Sequence, residues 1–206
     1  MNVKREGCKP STKGAVMARY GKEHKQTTRR RIIEAASRRL KRDGIDGSGV
    51  ATLMADAGLT NGAFYAHFDS KDDLVASTVA DQLREQRARY RAQPLEEIVR
   101  EYLSIAHRDD TEDGCPAAAL LDEIARSSDS VKRAYTDGQL AIIDDVAARL
   151  APDDPQSARV QTLGVFALMV GTLQVSRALA DPTLADDLLE QGIQNALAIL
   201  GSGRQG

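Results

Sequence analysis

Tryptophan is absent, and aromatic residues make up only 4% of the chain. Sheet cores lean on aromatic and β-branched residues. Here Ala, Leu, Arg and Asp dominate instead, and they favour helix. Cysteine is nearly absent too. Cys8 and Cys115 lie far apart, with no CxxC and no Cys/His cluster, which argues against a disulfide scaffold or a zinc site. Histidine occurs only at 24, 67 and 107, in no metal-ligand spacing. No run of about 18 apolar residues exists, so no membrane span is expected. The amino terminus lacks an apolar signal core, which points to the cytosol. Met17 is a candidate internal start. G-x-S-x-G, P-loop and Rossmann fingerprints are missing as well. An enzyme is therefore not expected, and no metal or cofactor is called for.

What is present is an uneven charge. The 206 residues carry a formal net charge of −2, yet residues 1–42 hold 14 Lys/Arg against 3 Glu, a net of +11. The remainder is acidic, with 14 Lys/Arg against 27 Asp/Glu. A basic arm on an acidic body is the pattern of a polyanion binder, and equally of a solubilising tail.

Apolar spacing predicts an all-α chain of about nine helices. Residues 1–24 are polar and basic, and Gly7, Pro10, Gly14 and Gly21 interrupt them, so a disordered arm is expected there. Residues 25–70 form three helices, over about 27–42, 48–57 and 61–68. Ile32, Ile33, Ala36 and Leu40 make the apolar face of the first. Residues 71–206 form a helical bundle with expected helices at 71–92, 94–107, 116–126, 129–150, 155–180 and 183–200. Ser70 and Asp73 read as a capping box. Pro116 suits a first-turn position. The helix at 155–180 is apolar almost all round and must be covered on more than one face.

Residues 48–68 have the spacing of a helix-turn-helix. Gly58 permits the sharp turn, Leu59 plugs the angle, and the following helix is free to enter a major groove. The stretch Thr28–Leu74 resembles the amino-terminal domain of TetR (tetracycline-repressor) family regulators. Its most specific part is Gly58-Leu59-Thr60-Asn61-Gly62-Ala63-Phe64-Tyr65-Ala66-His67-Phe68 followed by Ser70-Lys71-Asp72-Asp73-Leu74. About 50 residues carry this resemblance closely; Gly114-Cys115-Pro116 adds a weaker one.

The resemblance implies a ligand-responsive DNA-binding repressor with a three-helix reading domain and a helical ligand-binding and dimerisation domain. Thr60, Asn61, Gly62 and Ala63 would face base edges, with Asn61 able to bond adenine or a phosphate. Tyr65, His67 and Lys71 would contact phosphates, with Arg29 helping from the first helix. Gly49 stands where the family usually has Thr or Ser, leaving Ser48 or Thr52 for that contact. Phe64 and Phe68 are assigned to the core. The last two helices would pair across a two-fold axis, with Gly164, Ala167, Gly171, Ala178, Leu189, Ile193 and Leu197 at the interface and a palindromic operator as partner. Tyr102, His107, Cys115, Gln139, Phe166, Met169 and Gln174 are candidates to line a small-molecule effector pocket, and each is also explicable as plain core. Two alternatives stay open: a thiol redox sensor using Cys115, and a helical adaptor that does not bind DNA.

Overall fold

A computed structural model describes residues 12–202, and side chains over 23–201. Nine α-helices and one 3-10 helix occur in it, with no strand among the described residues. They are α1 (Thr12–Asp43), α2 (Val50–Asp56), the 3-10 helix (Asn61–Ala66), α3 (Lys71–Arg91) and α4 (Leu95–Tyr102). Then come α5 (Ile105–Asp109), α6 (Pro116–Arg126), α7 (Asp129–Leu150), α8 (Pro155–Ala178) and α9 (Pro182–Ser202).

Two expectations are corrected. The proposed arm at 1–24 is helical from Thr12 onward; residues 1–11 lie outside the described residues. Gly14 and Gly21 each cost about 1 kcal/mol relative to Ala within a helix. That cost is tolerated because no proline follows Pro10 before α1 ends and most intervening residues are helix formers. The single helix expected over 94–107 is instead two. The Ser104 hydroxyl accepts from the His107 N–H at 3.1 Å and so caps a new helix, α5.

The apolar face of α1 (Ile32, Ile33, Ala36, Leu40) is buried against Leu53 and Met54 of α2, Phe64 and Phe68, and the start of α3. The first turns of α3 close this amino-terminal cluster, and its middle enters the second half through Val79, Leu83, Gln86 and Tyr90. There it packs along α7, and Arg87 and Arg91 both donate to Asp145 at 2.6–3.2 Å. The two arginines hold the Asp145 carboxyl far below the usual carboxylate range. One long helix is thus shared by both halves, and a shift of its far end cannot leave the first domain unaffected.

Helix α8 lies between α7 and α9. It buries Val165, Met169, Val170 and Leu173, while Val160, Leu163, Gly164, Ala167, Val175 and Ala178 are exposed along another side. By length and composition α8 is the one described helix able to cross a membrane. Arg177 ties it to the chain instead, donating to the carbonyls of His107 (2.7 Å), Arg108 (3.0 Å) and Ala118 (3.2 Å).

Candidate nucleic-acid interface

Helix α2 ends on a Schellman motif. The Gly58 N–H donates to the Ala55 carbonyl at 2.8 Å, and the Leu59 N–H reaches back to Met54 at 2.9 Å. Gly58 adopts φ +65°, the left-handed region where a side chain is strained. The chain thereby reverses within two residues, and Thr60 (φ −78°, ψ 151°) starts the 3-10 helix. The tight geometry has a cause in the next residues. Phe64 is 1% exposed and Phe68 2%, and their rings stack with centroids 5.7 Å apart. Anchoring both within four positions sets the segment on the core and turns its other side outward.

That other side carries the expected residues. Thr60, Asn61, Gly62 and Tyr65 are exposed, and Ala63 is partly so. Tyr65 is 74% exposed, the edge of its ring meeting Phe64 at 5.2 Å. A Cβ added at Gly62 would meet nothing within 4 Å, so that backbone lies open to a partner. Lys71 opens α3, where the Ser70 hydroxyl accepts from the Asp73 N–H at 3.1 Å and the Asp73 carboxylate accepts from the Asp69 N–H. The capping box therefore fixes a half-exposed lysine beside the 3-10 helix.

Three site expectations change. Ser48 is fully buried and donates to the Gly44 carbonyl at 2.7 Å. It tightens the α1–α2 corner and is not at the surface, so a phosphate contact by Ser48 is ruled out. Thr52 is exposed, with its hydroxyl turned back onto the Gly49 carbonyl at 3.1 Å. Arg29 is committed internally: its guanidinium lies 4.6 Å above the Phe68 ring and donates to the Ser77 hydroxyl at 2.8 Å. It braces α1 against α3. His67 is half-buried, its Nδ1 turned inward without a hydrogen-bond partner among the described residues. Burial, then the neighbouring charges of Lys25, Arg29 and His24, push its pKa below the usual value, so the ring is neutral near pH 7. The same proximity shows what residue spacing missed: His24 and Lys25, both exposed, bring α1 to the edge of this surface, and Lys25 extends its positive charge.

In the second half, the expected pocket residues divide. A cavity of about 190 Å³ opens between α3, α4, α5 and the Gly114 corner, bordered by Tyr102, His107 and Cys115. An apolar space of about 50 Å³ lies behind it, bordered by Tyr102, Phe166 and Met169. Gln139 is buried on α7. Gln174 is a correction: it is exposed on α8, and its amide donates to the Ala118 carbonyl at 3.5 Å. Gln86 and Tyr90 of α3 also border the cavity and were missed. They continue the spacing Val79, Leu83, Gln86, Tyr90, but sit among five charged residues from Arg84 to Arg91.

His107 is a staple rather than a free ligand. The Cys115 N–H donates to its Nε2 at 3.0 Å, so Nδ1 carries the proton and donates to the Tyr102 carbonyl at 2.7 Å. A Cβ on Gly114 would fall 2.9 Å from His107 Nε2 and 3.0 Å from the Asp110 carbonyl, so glycine permits this approach. The Cys115 thiol is buried and donates to Gln86 at 3.6 Å. Among the described residues no group of His, Cys, Asp and Glu is placed to hold a metal ion.

Of the residues expected to pair two copies, Gly164, Ala167 and Ala178 lie on the exposed side of α8, with Gly171 half-buried. Leu189 and Ile193 are corrected: at 3% and 7% exposure they pack inside the protomer, and Leu197 packs against the same core. The outward side of α9 carries Leu184, Gln191, Asn195 and Ile199.

Comparison with known proteins matches residues 32–78 to the family described as bacterial regulatory proteins, tetR family. The HTH-type transcriptional regulator TtgR of Pseudomonas putida is 42% identical over 69 residues, which is 34% of this chain and 32% of that protein. The aligned region thus spans about a third of that relative's length. A TetR-family regulator structure from Agrobacterium tumefaciens aligns with a TM-score of 0.66 at 22% identity, covering 83% of this chain and 98% of the other. The Bacillus subtilis regulator FadR, solved in complex with stearoyl-CoA, aligns with a TM-score of 0.56 at 17% identity, covering 85% and 97%. The two structural likenesses speak to fold. The matched segment is the one built around Gly58, Phe64 and the Ser70 cap, and over it the chain is similar to the tetR family of bacterial regulatory proteins.

Proposed function

We propose that the chain is a dimeric, ligand-responsive transcriptional repressor that acts in the cytoplasm, without enzymatic activity, on a palindromic operator. One observation carries the reading: Asn61, Tyr65 and Lys71 share an exposed surface that two buried phenylalanines and a capping box hold in place. Asn61 and its neighbours read base edges, while Tyr65, His67 and Lys71 hold phosphates together with the cationic end of α1. The adaptor alternative would leave this surface without a purpose. The thiol-sensing alternative gains no support from a thiol that is 6% exposed.

The apolar stripe Val160–Gly164–Ala167–Val175 on α8 pairs with its copy, joined by the outward side of α9. Its small residues admit close approach, and a Cβ at Gly164 or Gly171 would meet nothing within 4 Å inside the protomer. The effector occupies the space around Tyr102. Binding there favours a pose in which α3 shifts and the two recognition segments leave operator spacing. The FadR neighbour, which holds stearoyl-CoA, lends support to ligand responsiveness.

A mobility-shift titration with the DNA adjoining the chain's own gene tests the reading. A salt-sensitive, sequence-specific complex is expected for the native protein, lost in Tyr65→Ala/Lys71→Ala with helix content unchanged. A specific complex that survives both substitutions would overturn it.

A further inference from the structure

Where α3 and α7 run side by side, a cleft of about 220 Å³ is bordered by Arg87 and Arg91 of α3 and by Asp145 and Arg149 of α7. Three guanidiniums thus face one carboxylate. Asp144, the next carboxylate to act on Arg87, is already paired with Arg159 at 2.7 Å. A surplus of two positive charges remains at the cleft. The arginines also have donors to spare. Arg87 and Arg91 each engage Asp145 through Nε and Nη2, so Nη1 of each finds no acceptor among the described residues. Arg149 donates its two terminal nitrogens to the Tyr90 and Gln93 carbonyls, at 3.1 and 2.5 Å, and its Nε finds none. A guanidinium offers five N–H groups in a planar fork that matches a carboxylate.

The cleft is open at its charged end. The Arg91 side chain is 59% exposed and that of Arg87 35%, so an ion bound there keeps part of its hydration. Its other walls are apolar. Tyr90, Ile142 and Val146 border the cleft and also the dry space of about 50 Å³ that reaches Tyr102, Phe166 and Met169. Around that inner space only the two tyrosines and Thr162 carry a side-chain oxygen or nitrogen, and the Thr162 hydroxyl donates to the Ala158 carbonyl. Surplus positive charge therefore stands at one end of a common wall and dry apolar surface at the other. A small inorganic anion would leave the apolar end unused. A hydrocarbon would leave the spare guanidinium donors unmatched. A cation would meet the surplus charge of its own sign.

We infer that the cleft and the inner space together take an amphipathic carboxylate, an acidic head on an unbranched apolar tail. The inference rests on the effector-pocket reading above. The head meets Arg91, Arg149 and the spare donors of Arg87. The tail lies along Ile142 and Val146 toward Phe166 and Met169. An apolar cavity of about 150 Å³ suffices for benzene, so a chain of about six to eight carbons suits the combined volumes. Arg87 and Arg91 stand in the last turns of the helix that Lys71 opens, so a second carboxylate in the cleft competes with Asp145 for the far end of α3.

Calorimetric titration of the full chain at pH 7 with octanoate, octanol, octylamine, acetate and inorganic phosphate tests this. Octanoate binds at one molecule per chain. Octanol binds at least about tenfold more weakly, and octylamine at least about 100-fold. Acetate and phosphate also bind at least about 100-fold more weakly, because affinity rises about fourfold with each methylene from butanoate to octanoate. In Arg91→Gln/Arg149→Gln, which leaves Arg87 and Asp145 matched, the preference for octanoate over octanol falls below about threefold while octanol binding is unchanged. Arg91→Gln alone alters a mostly exposed side chain and lowers that preference at least about threefold, so the outcome does not hang on the folding of the double variant. Equal binding of octanol or octylamine, equal binding of acetate or phosphate, an undiminished preference in Arg91→Gln, or no binding of octanoate overturns the proposal. Operator binding is read in parallel to separate it from the regulatory reading. Octanoate that binds as expected and leaves the DNA complex intact refutes effector release and upholds the ligand class. Release of the DNA by a neutral or cationic compound, with octanoate unbound, does the reverse.

Discussion

Tyr65 and Phe64 are neighbours with opposite duties, and truncating each separates fold from function. Phe64 is 1% exposed and stacks on Phe68. Its replacement by Ala costs about 3–5 kcal/mol, out of a total stability of the order of 5–15 kcal/mol. At about 2–4 °C per kcal/mol for a chain of this size, Tm falls by roughly 6–20 °C. Tyr65 is 74% exposed, and its ring meets Phe64 edge-on. Such a pair is worth about 0.5–1.5 kcal/mol when buried and less here, so Tyr65→Ala moves Tm by no more than about 4 °C. On DNA the order changes. One lost hydrogen bond per subunit weakens binding by ~0.5–1.5 kcal/mol, or ~1–3 for a dimer, about five- to 150-fold. Differential scanning calorimetry and a fluorescence-anisotropy titration on operator DNA supply both numbers. Equal losses of Tm in the two variants, or an unchanged operator affinity in Tyr65→Ala, would show that the outward face of the 3-10 helix is not the reading surface.

Lys71→Ala should lower the slope of log affinity against log salt by about 0.9 per subunit, near 2 for a dimer, with Tm almost unchanged; an unaltered slope removes Lys71 from the phosphate contacts. Alkaline stability is set by buried phenols. Tyr90 and Tyr102 have raised pKa values in the folded chain, so their contribution is complete below the unfolded pKa near 10 and is lost as pH rises above it. The slope is about 1.4 kcal/mol per pH unit for each phenol, roughly 3 for the pair. Lys41, whose pKa burial lowers, acts oppositely only up to about 10.5, so denaturant midpoints above that pH read the phenols. Tyr102→Phe should flatten the fall, and an unflattened curve contradicts the assignment. Gly114→Ala forces a methyl against His107 and the Asp110 carbonyl; a loss of ~1–3 kcal/mol in urea unfolding is expected, and a neutral result would mean that the corner is free to relax.

Much of the first domain was legible because its signals are local. The Gly58 turn, the S-x-x-D cap and the apolar spacing of Ile32, Ile33, Ala36 and Leu40 each act within a few residues. What was misread depends on contacts distant in sequence. Ser48 has the chemistry of a surface cap, and only the return of the Gly44 carbonyl shows it buried. Leu189 and Ile193 are apolar at helical spacing, which cannot say whether α9 buries them within the protomer or against a second copy. Gln86 and Tyr90 are inward members of a helix whose charge density hid them. The start of α1 fell to a different cause, since two glycines and a basic composition outweighed the absence of any proline between Pro10 and Asp43.

The Gly114 corner joins both halves through single atoms. Its carbonyl accepts from Lys41 of α1 at 3.0 Å, and the next N–H, that of Cys115, donates to His107 at the cavity wall. Lys41 is 5% exposed, and its other acceptor is Gln82 of α3. A ligand that displaces Cys115 must carry the Gly114 carbonyl with it, because a planar peptide separates them. The ammonium would then be left buried with one acceptor, a penalty of several kcal/mol unless the end of α1 follows. Around this corner Asp46 N–H donates to Glu123 of α6 at 3.0 Å, Arg38 pairs with Asp113 and Arg42 with Glu112, so α1 is held at several points. Coupling free energies between sites usually amount to ~1–3 kcal/mol. The disparity between a held and an abandoned Lys41 exceeds that, so this one contact suffices in magnitude to transmit a change at the cavity to the helix that backs the proposed DNA-reading surface.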